Sequence, residues 1–485
     1  MQKILLSLEN LNEVFPDDFT QEQIAKAKTL FLKKLSVEAH CFYSGKIQTV
    51  PKAPVVGFNW FNVWYTPGVS KVSTEIRDNN EISYDITNRG NLVAVLSDST
   101  RVLGDGDCTP SGGLGVMEGK AFLMKYLGGV DATALCIDSK NEQGKNDADK
   151  IIEFGKMVQH SFGAINLEDI SQPNCYKVLD VLREVCDIPV WHDDAQGTAC
   201  VTLAGLINAL KLVNKDIDKV KIVFYGAGAA NTSIARICFA AGVDPKKAVM
   251  FDTKGSLHIN RADIKADTRF YRKWEICQAT NPNCITTIED AFKGADVLIA
   301  VSKPGPDEVK KEWIQAMGEK PIVFTCSNPI PEIYPYAAKE AGAYIVATGR
   351  GDFPNQVNNS MGFPGILKGA LLVRARKITD NMAIAAAKSL AGFAERRGIS
   401  PDNITATMDE AGVFPHEAAD VAMQAQKDGV ARISMTWQEA FDKAEAGIKH
   451  SRDMVNALTD QGYIAKPPMS LIEEAVEYTV KEILK

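Results

Sequence analysis

The chain has 485 residues, 45% apolar and 24% charged, which excludes a disordered, collagenous or coiled-coil polymer and leaves material for two or three domains. Fifty-four basic against 61 acidic side chains give a net charge of -7, so no overall positive field exists to hold nucleic acid or acidic lipid, and an anionic ligand needs a local cation. The ten cysteines lie far apart with no C-x-x-C pair, which argues against a zinc ribbon or a disulfide framework and fits buried thiols in a reducing, cytoplasmic compartment.

The run Ile4 to Leu8 is interrupted by Glu9, too soon for the apolar region of a secretion signal, and nowhere do the ~18 apolar residues of a membrane span occur together. Glu22, Lys26, Lys28 and Lys33 interleave with Ile24, Leu30, Phe31 and Leu35, predicting a helix capped at Asp18 or Thr20. From Asn91 short apolar runs alternate with helical stretches: Leu92 to Leu96, Ala134 to Ile137, Gly163 to Leu167 and Ile188 to Trp191, with helices at Lys150 to His160 and Tyr176 to Cys186. Strands alternating with helices imply parallel βαβ units.

After a helix over Ala199 to Asn214, a second alternating block begins with strand Val220 to Tyr225, a Gly-rich turn, helix Thr232 to Ala241 and strand Ala248 to Asp252. Strands follow at Val297 to Val301, Ile322 to Cys326 and Tyr344 to Ala347, which makes a doubly wound sheet. Beyond Gly365 only helices are expected, at Ala383 to Arg397, Glu417 to Lys427, Trp437 to Ala457 and Leu471 to Leu484. The fold class is therefore α/β, with an N-terminal α/β domain over 1–196, a Rossmann-type doubly wound domain over 197–365 and a helical segment over 366–485.

Gly226-Ala-Gly228-Ala-Ala-Asn231 follows a strand and opens a helix, the setting in which a glycine pattern cradles a dinucleotide. Gly226 permits the tight turn, Gly228 lets backbone approach a pyrophosphate, and the amides of Ala229 and Ala230 sit at the helix N-terminus. Asn231 replaces the third glycine. Asp252, ending the next strand, stands where a carboxylate accepts the ribose hydroxyls of NAD, while Lys254 and Arg261 just beyond it suit the 2'-phosphate of NADP.

Two neighbouring strands end in acid pairs, Glu168-Asp169 and His192-Asp193-Asp194. Ligands bind beyond the carboxyl ends of such strands, so these acids form a candidate site for Mg²⁺ or Mn²⁺, which prefer oxygen donors. The competing reading makes Asp169, Asp193 and Asp194 helix caps.

Tyr65-Thr-Pro-Gly68, Ser97 to Gly104, Val116-Met-Glu-Gly-Lys120, Asn166-Leu-Glu-Asp169, His192 to Thr198, Ser327-Asn-Pro329, Thr348-Gly-Arg350, Pro354 to Asn359, Phe363-Pro-Gly365 and Val413-Phe-Pro-His416 follow one another. In type and order they resemble the malic enzymes, in their shorter bacterial-type branch. The resemblance implies oxidative decarboxylation of L-malate, a dicarboxylate, to pyruvate and CO₂ with reduction of NAD or NADP, a divalent metal, and a homo-oligomer, dimer or tetramer. It implies Glu168, Asp169 and Asp194 as metal ligands, Lys120 as the base for the C2 hydroxyl, Asp193 as its support and Tyr65 as the acid that protonates the enol. It also implies that Arg101, Asn328 and Asn359 hold substrate, and that Asn328 and Asn358 reach the cofactor. Two departures stand out: Asp105 to Gly113 differs from the usual segment before the lysine, and Asn231 alters the glycine turn. The altered turn motivates an alternative, a metal-dependent oxaloacetate decarboxylase without net redox.

Overall fold

The apolar runs are continuous rather than alternating because helices cover both faces of the sheets they build. In the computed structural model, which describes residues 6–9, 11–410 and 412–485, part of the Ile4 to Leu8 run lies outside the described residues. Strands β1 (Leu92–Ser97), β2 (Asp131–Cys136), β3 (Ala164–Leu167) and β4 (Val190–His192) form a parallel sheet in the order β2-β1-β3-β4. β3 and β4 are wholly buried.

A second sheet contains β5 (Ile222–Tyr225), β6 (Ala248–Asp252), β7 (Gly255–Ser256), β8 (Val297–Ala300), β9 (Ile322–Thr325) and β10 (Ile345–Thr348), in the order β10-β9-β8-β5-β6-β7. All its pairs are parallel except β6 with β7. The order reverses beside β5, so β5 and β8 flank the topological switch point at which such sheets bind ligands. Between the sheets in sequence, the helical run Asp193–Val213 is long and apolar enough in composition to be mistaken for a membrane span but mostly buried within the fold; its α-helical part is Thr198–Val213. Its residues Leu203, Leu206 and Leu210 join Phe224, Phe324 and Phe363 in one large core.

The chain divides into two compact units, Pro51–His450 and a smaller one made of Met1–Val50 with Ser451–Lys485. In the smaller unit the helix Gln21–Tyr43 begins on Thr20, whose hydroxyl and the Gln23 side chain cap each other's backbone, as a capping box does. This helix packs on Met469–Ile483 through Phe31, Ile472 and Ala475, with Phe15 of the preceding segment in the same cluster. The residues beyond Arg432 thus include a helix whose partner lies more than 400 positions upstream.

Candidate active site

Local backbone geometry explains how adjacent acids come to face one space. Asp169 lies in the left-handed region, at φ 53°, a conformation that Asp tolerates better than most residues. The strand direction breaks there, and Glu168 and Asp169 both turn toward Asp194. One oxygen from each of the three carboxylates falls within 4.8 Å of the others. None of these acids caps a helix: Asp193–Gly197 winds as a wide π turn without a side-chain cap before Thr198–Val213.

The cluster is tied in place from several sides. Asn166 Nδ2 donates to Glu168 Oε2 at 2.9 Å, and the Asp169 amide donates to Asp194 Oδ2 at 2.7 Å. Asp169 Oδ2 is buried without a partner. Burial, then repulsion from Asp194, pushes the Glu168 and Asp169 carboxyls well above the usual range. Three crowded carboxylates, one with a free buried oxygen, are a donor set that a hard divalent cation would satisfy. His192 is buried beside them with Nδ1 3.9 Å from Asp194 Oδ2 and no ring hydrogen bond.

Lys120 projects from the middle of the helix Leu114–Gly128 and is 8% exposed. Its ammonium bonds to Asp193, lies 3.0 Å from Glu168 Oε1 and sits 4.6 Å from the centre of the Phe363 ring. Burial pulls its proton affinity down, but Asp193, Glu168 and Asp194 more than offset this, so it is held above the ordinary lysine range. Asp193 is fully buried and also accepts from Trp191 Nε1 at 3.2 Å. Burial raises its carboxyl to about 6, against the pull of Lys120.

Lys120, Glu168, Asp169, His192 and Asp194 open onto a cleft of about 640 Å³ lined also by Arg101, Asn328, Asn358 and Asn359, with Asp193 behind Lys120. Arg101 anchors the wall through its amide, which donates to the Asp169 carbonyl at 2.9 Å. Gly228, Ala229 and Ala230 enter the same cleft at the start of the helix Ala229–Ala240. Gly226 has φ 97°, and a Cβ there would meet the Val301 carbonyl at 2.3 Å. At Gly228, by contrast, a Cβ would meet nothing within 4 Å. A tight turn followed by an open approach to helix amides is the shape a pyrophosphate needs.

Three predicted residues lie elsewhere. Asn231 is fully buried, and its Nδ2 reaches the carbonyls of Tyr225, Gly226 and Ile299 at 3.2, 2.7 and 3.3 Å. It binds the turn to the sheet instead of lining the cleft, because strand ends leave carbonyls that an amide can satisfy. Asp252 is engaged by Arg261, whose two terminal nitrogens contact its oxygens at 3.1 and 3.0 Å. Tyr65 is 72% exposed and is not among the cleft-lining residues. It ends a stretch in which Val56, Phe58, Trp60, Phe61 and Trp64 are exposed as well.

Position 197 is a site feature that sequence reasoning missed. Gly197 sits against the Asp193 carboxylate and the Asn359 side chain. A glycine four residues after an acid at a strand end was the available signal.

Known proteins resemble this chain over most of its length. Residues 44–183 match the family described as malic enzyme, N-terminal domain, and residues 195–426 match malic enzyme, NAD binding domain. The chain is 40% identical over 413 residues to the bifunctional malic/malolactic enzyme of Bacillus subtilis, covering 85% of this chain and 97% of that one. It is 42% identical over 389 residues to the NAD-dependent malic enzyme of Geobacillus stearothermophilus, covering 80% and 78%. The crystal structure of Entamoeba histolytica malic enzyme superposes with a TM-score of 0.98 at 66% identity over 100% of both chains. That from Pyrococcus horikoshii gives 0.81 at 40% identity, over 91% of this chain and 99% of that one.

Proposed function

Because the chain belongs to the malic enzyme family, we propose that its cleft carries out the oxidative decarboxylation of L-malate to pyruvate and CO₂ with reduction of NAD or NADP. The observation that carries this reading is the position of Lys120, bonded to Asp193 and 3.0 Å from Glu168, in the cleft that also receives Gly228 to Ala230.

Arg101, with Asn328 and Asn359, holds the carboxylates of the dicarboxylate, and Asn358 stands with Asn328 toward the nicotinamide end. Glu168, Asp169 and Asp194 would hold Mg²⁺ or Mn²⁺, which when bound draws electron density from the C2 oxygen. Lys120 takes the proton of the C2 hydroxyl as hydride leaves C2. Asp193, Glu168 and Asp194 together offset burial and keep Lys120 protonated, so a cation held by Glu168 and Asp194 would remove two of the three charges that raise its proton affinity and shift it toward that of a base. Asp193 orients the amine, and Tyr65 returns a proton to the enol after CO₂ departs.

The exposure of Tyr65 and of the aromatic stretch before it supports a homo-oligomer in which a second copy of the chain supplies Tyr65 to the cleft. The ten cysteines, all free thiols, support a reducing, cytoplasmic setting. The oxaloacetate decarboxylase alternative drew on an altered turn, yet Asn231 secures that turn, so this reading gains no support. The test is reduced-nicotinamide absorbance with malate across NAD and NADP, each with Mg²⁺ and Mn²⁺. Turnover with at least one cofactor is expected, and silence of a folded protein with both would refute the proposal.

A further inference from the structure

Glu332 is fully buried, and no basic side chain pairs with it among the described residues. A lone buried carboxylate is costly unless hydrogen bonds replace its water. Here they come from two serines at the ends of adjacent strands. Glu332 Oε1 accepts from the Ser302 amide at 2.7 Å, the Ser302 hydroxyl at 3.2 Å and the Ser327 hydroxyl at 2.6 Å, while Oε2 accepts from the Ser327 amide at 3.2 Å. The backbone around it is secured independently, since the Val309 amide donates to the Glu332 carbonyl at 3.0 Å and Thr325 Oγ1 to the Ile333 carbonyl at 3.3 Å. The side chain is therefore not needed merely to close the loop.

Its two serines have different neighbours in the cleft. Ser302 follows β8 and backs onto the dinucleotide turn: a Cβ on Gly226 would meet the Ser302 Cα at 2.9 Å. Ser327 follows β9 and immediately precedes Asn328, whose Nδ2 would lie 2.7 Å from a Cβ on Gly349. One carboxylate thus ties the floor of the Gly226 turn to the residue before Asn328.

We propose that Glu332 is a positioning residue for hydride transfer, holding Asn328 in register with the dinucleotide turn through Ser327 and Ser302. The inference rests on the reading of the cleft as the malate and dinucleotide site. It follows from how narrowly hydride transfer depends on the distance between donor and acceptor carbons, a tolerance that two independently mobile loops would exceed.

The test is Glu332→Gln, nearly identical in shape. A glutamine has one acceptor oxygen, and its amide hydrogens would face one of the donors, releasing one loop. The variant is expected to keep its circular dichroism, to exchange amide hydrogens faster at 302–306 or 327–331 without any ligand, and to lose tenfold or more in kcat. The deuterium isotope effect with malate labelled at C2 should rise as hydride transfer becomes slower. Should Glu332→Gln fail to fold, the paired Ser302→Ala and Ser327→Ala variants, which keep both amide bonds, should show a smaller loss of the same kind. Wild-type kcat, KM and isotope effect in a folded Glu332→Gln protein would overturn the proposal. Normal malate turnover by Lys120→Ala would instead overturn the cleft assignment, so the two failures are separable.

Discussion

Gly197 lies so close over Asp193 that a Cβ on it would stand 1.9 Å from the carboxylate Oδ1 and 3.2 Å from the Asn359 Cβ. The contact arises because the π turn Asp193–Gly197 folds its last residue back over its first. Asp193 can reach Lys120 from a buried position only because residue 197 has no side chain. Gly197→Ala should therefore displace Asp193, lower kcat by one or two orders of magnitude as expected for a disturbed acid-base group, and leave dinucleotide binding measurable by fluorescence quenching. Unchanged kcat would show that Asp193 needs no such support.

Removing one carboxylate from the cluster should weaken metal binding without loss of fold. For Asp169→Asn or Asp194→Asn, the Mn²⁺ dissociation constant read by electron paramagnetic resonance should rise at least tenfold. Because repulsion among the acids is relieved, the apo variants should melt no lower than the parent. An unaltered Mn²⁺ affinity in both variants would exclude this cluster as the metal site.

Glu417 is fully buried in the helix Val413–Lys427 with both carboxylate oxygens unpartnered. Burial, followed by the charges of Asp420 and Asp193, holds its carboxyl well above the usual range. A raised folded-state value means that the stability of the parent is intact below the unfolded value, about 4.3, and falls as pH climbs from there toward the folded value. Glu417→Gln removes that dependence. Its melting temperature should exceed the parent's by more at pH 8 than at pH 5.5, with each pH unit of the interval worth up to about 1.4 kcal/mol. Equal differences at the two pH values would mean that Glu417 is ionised in the fold.

If a second copy supplies Tyr65, two inactive proteins should rescue each other. Lys120→Ala and Tyr65→Phe are each expected to lose about 10²–10⁴-fold in turnover. Subunits exchanged at equal amounts into dimers should recover about a quarter of parental activity, since half the dimers are mixed and each mixed dimer has one complete site. No recovery after proven exchange would place Tyr65 in the active site of its own subunit.

The sequence by itself determined the order of the parallel strands, because apolar runs and their polar punctuation are local properties, but not the short antiparallel β7 or the helix Val69–Asp78. It also determined the acid pairs and the glycine turn, because strand ends and helix starts are where such chemistry must sit in an α/β sheet. Tertiary structure decided which atoms meet. Only the left-handed backbone at Asp169 and the π turn at Asp193–Gly197 bring three carboxylates and Lys120 together. Contact between Lys120 and Asp193 spans 73 positions, a pairing to which no local pattern is sensitive. The same limit hid the role of Asn231, a departure from the glycine pattern in sequence and a hub of buried carbonyl bonds in the fold. Glu332 was silent for the same reason, since the value of a buried carboxylate depends on donors that two separate strands deliver to it.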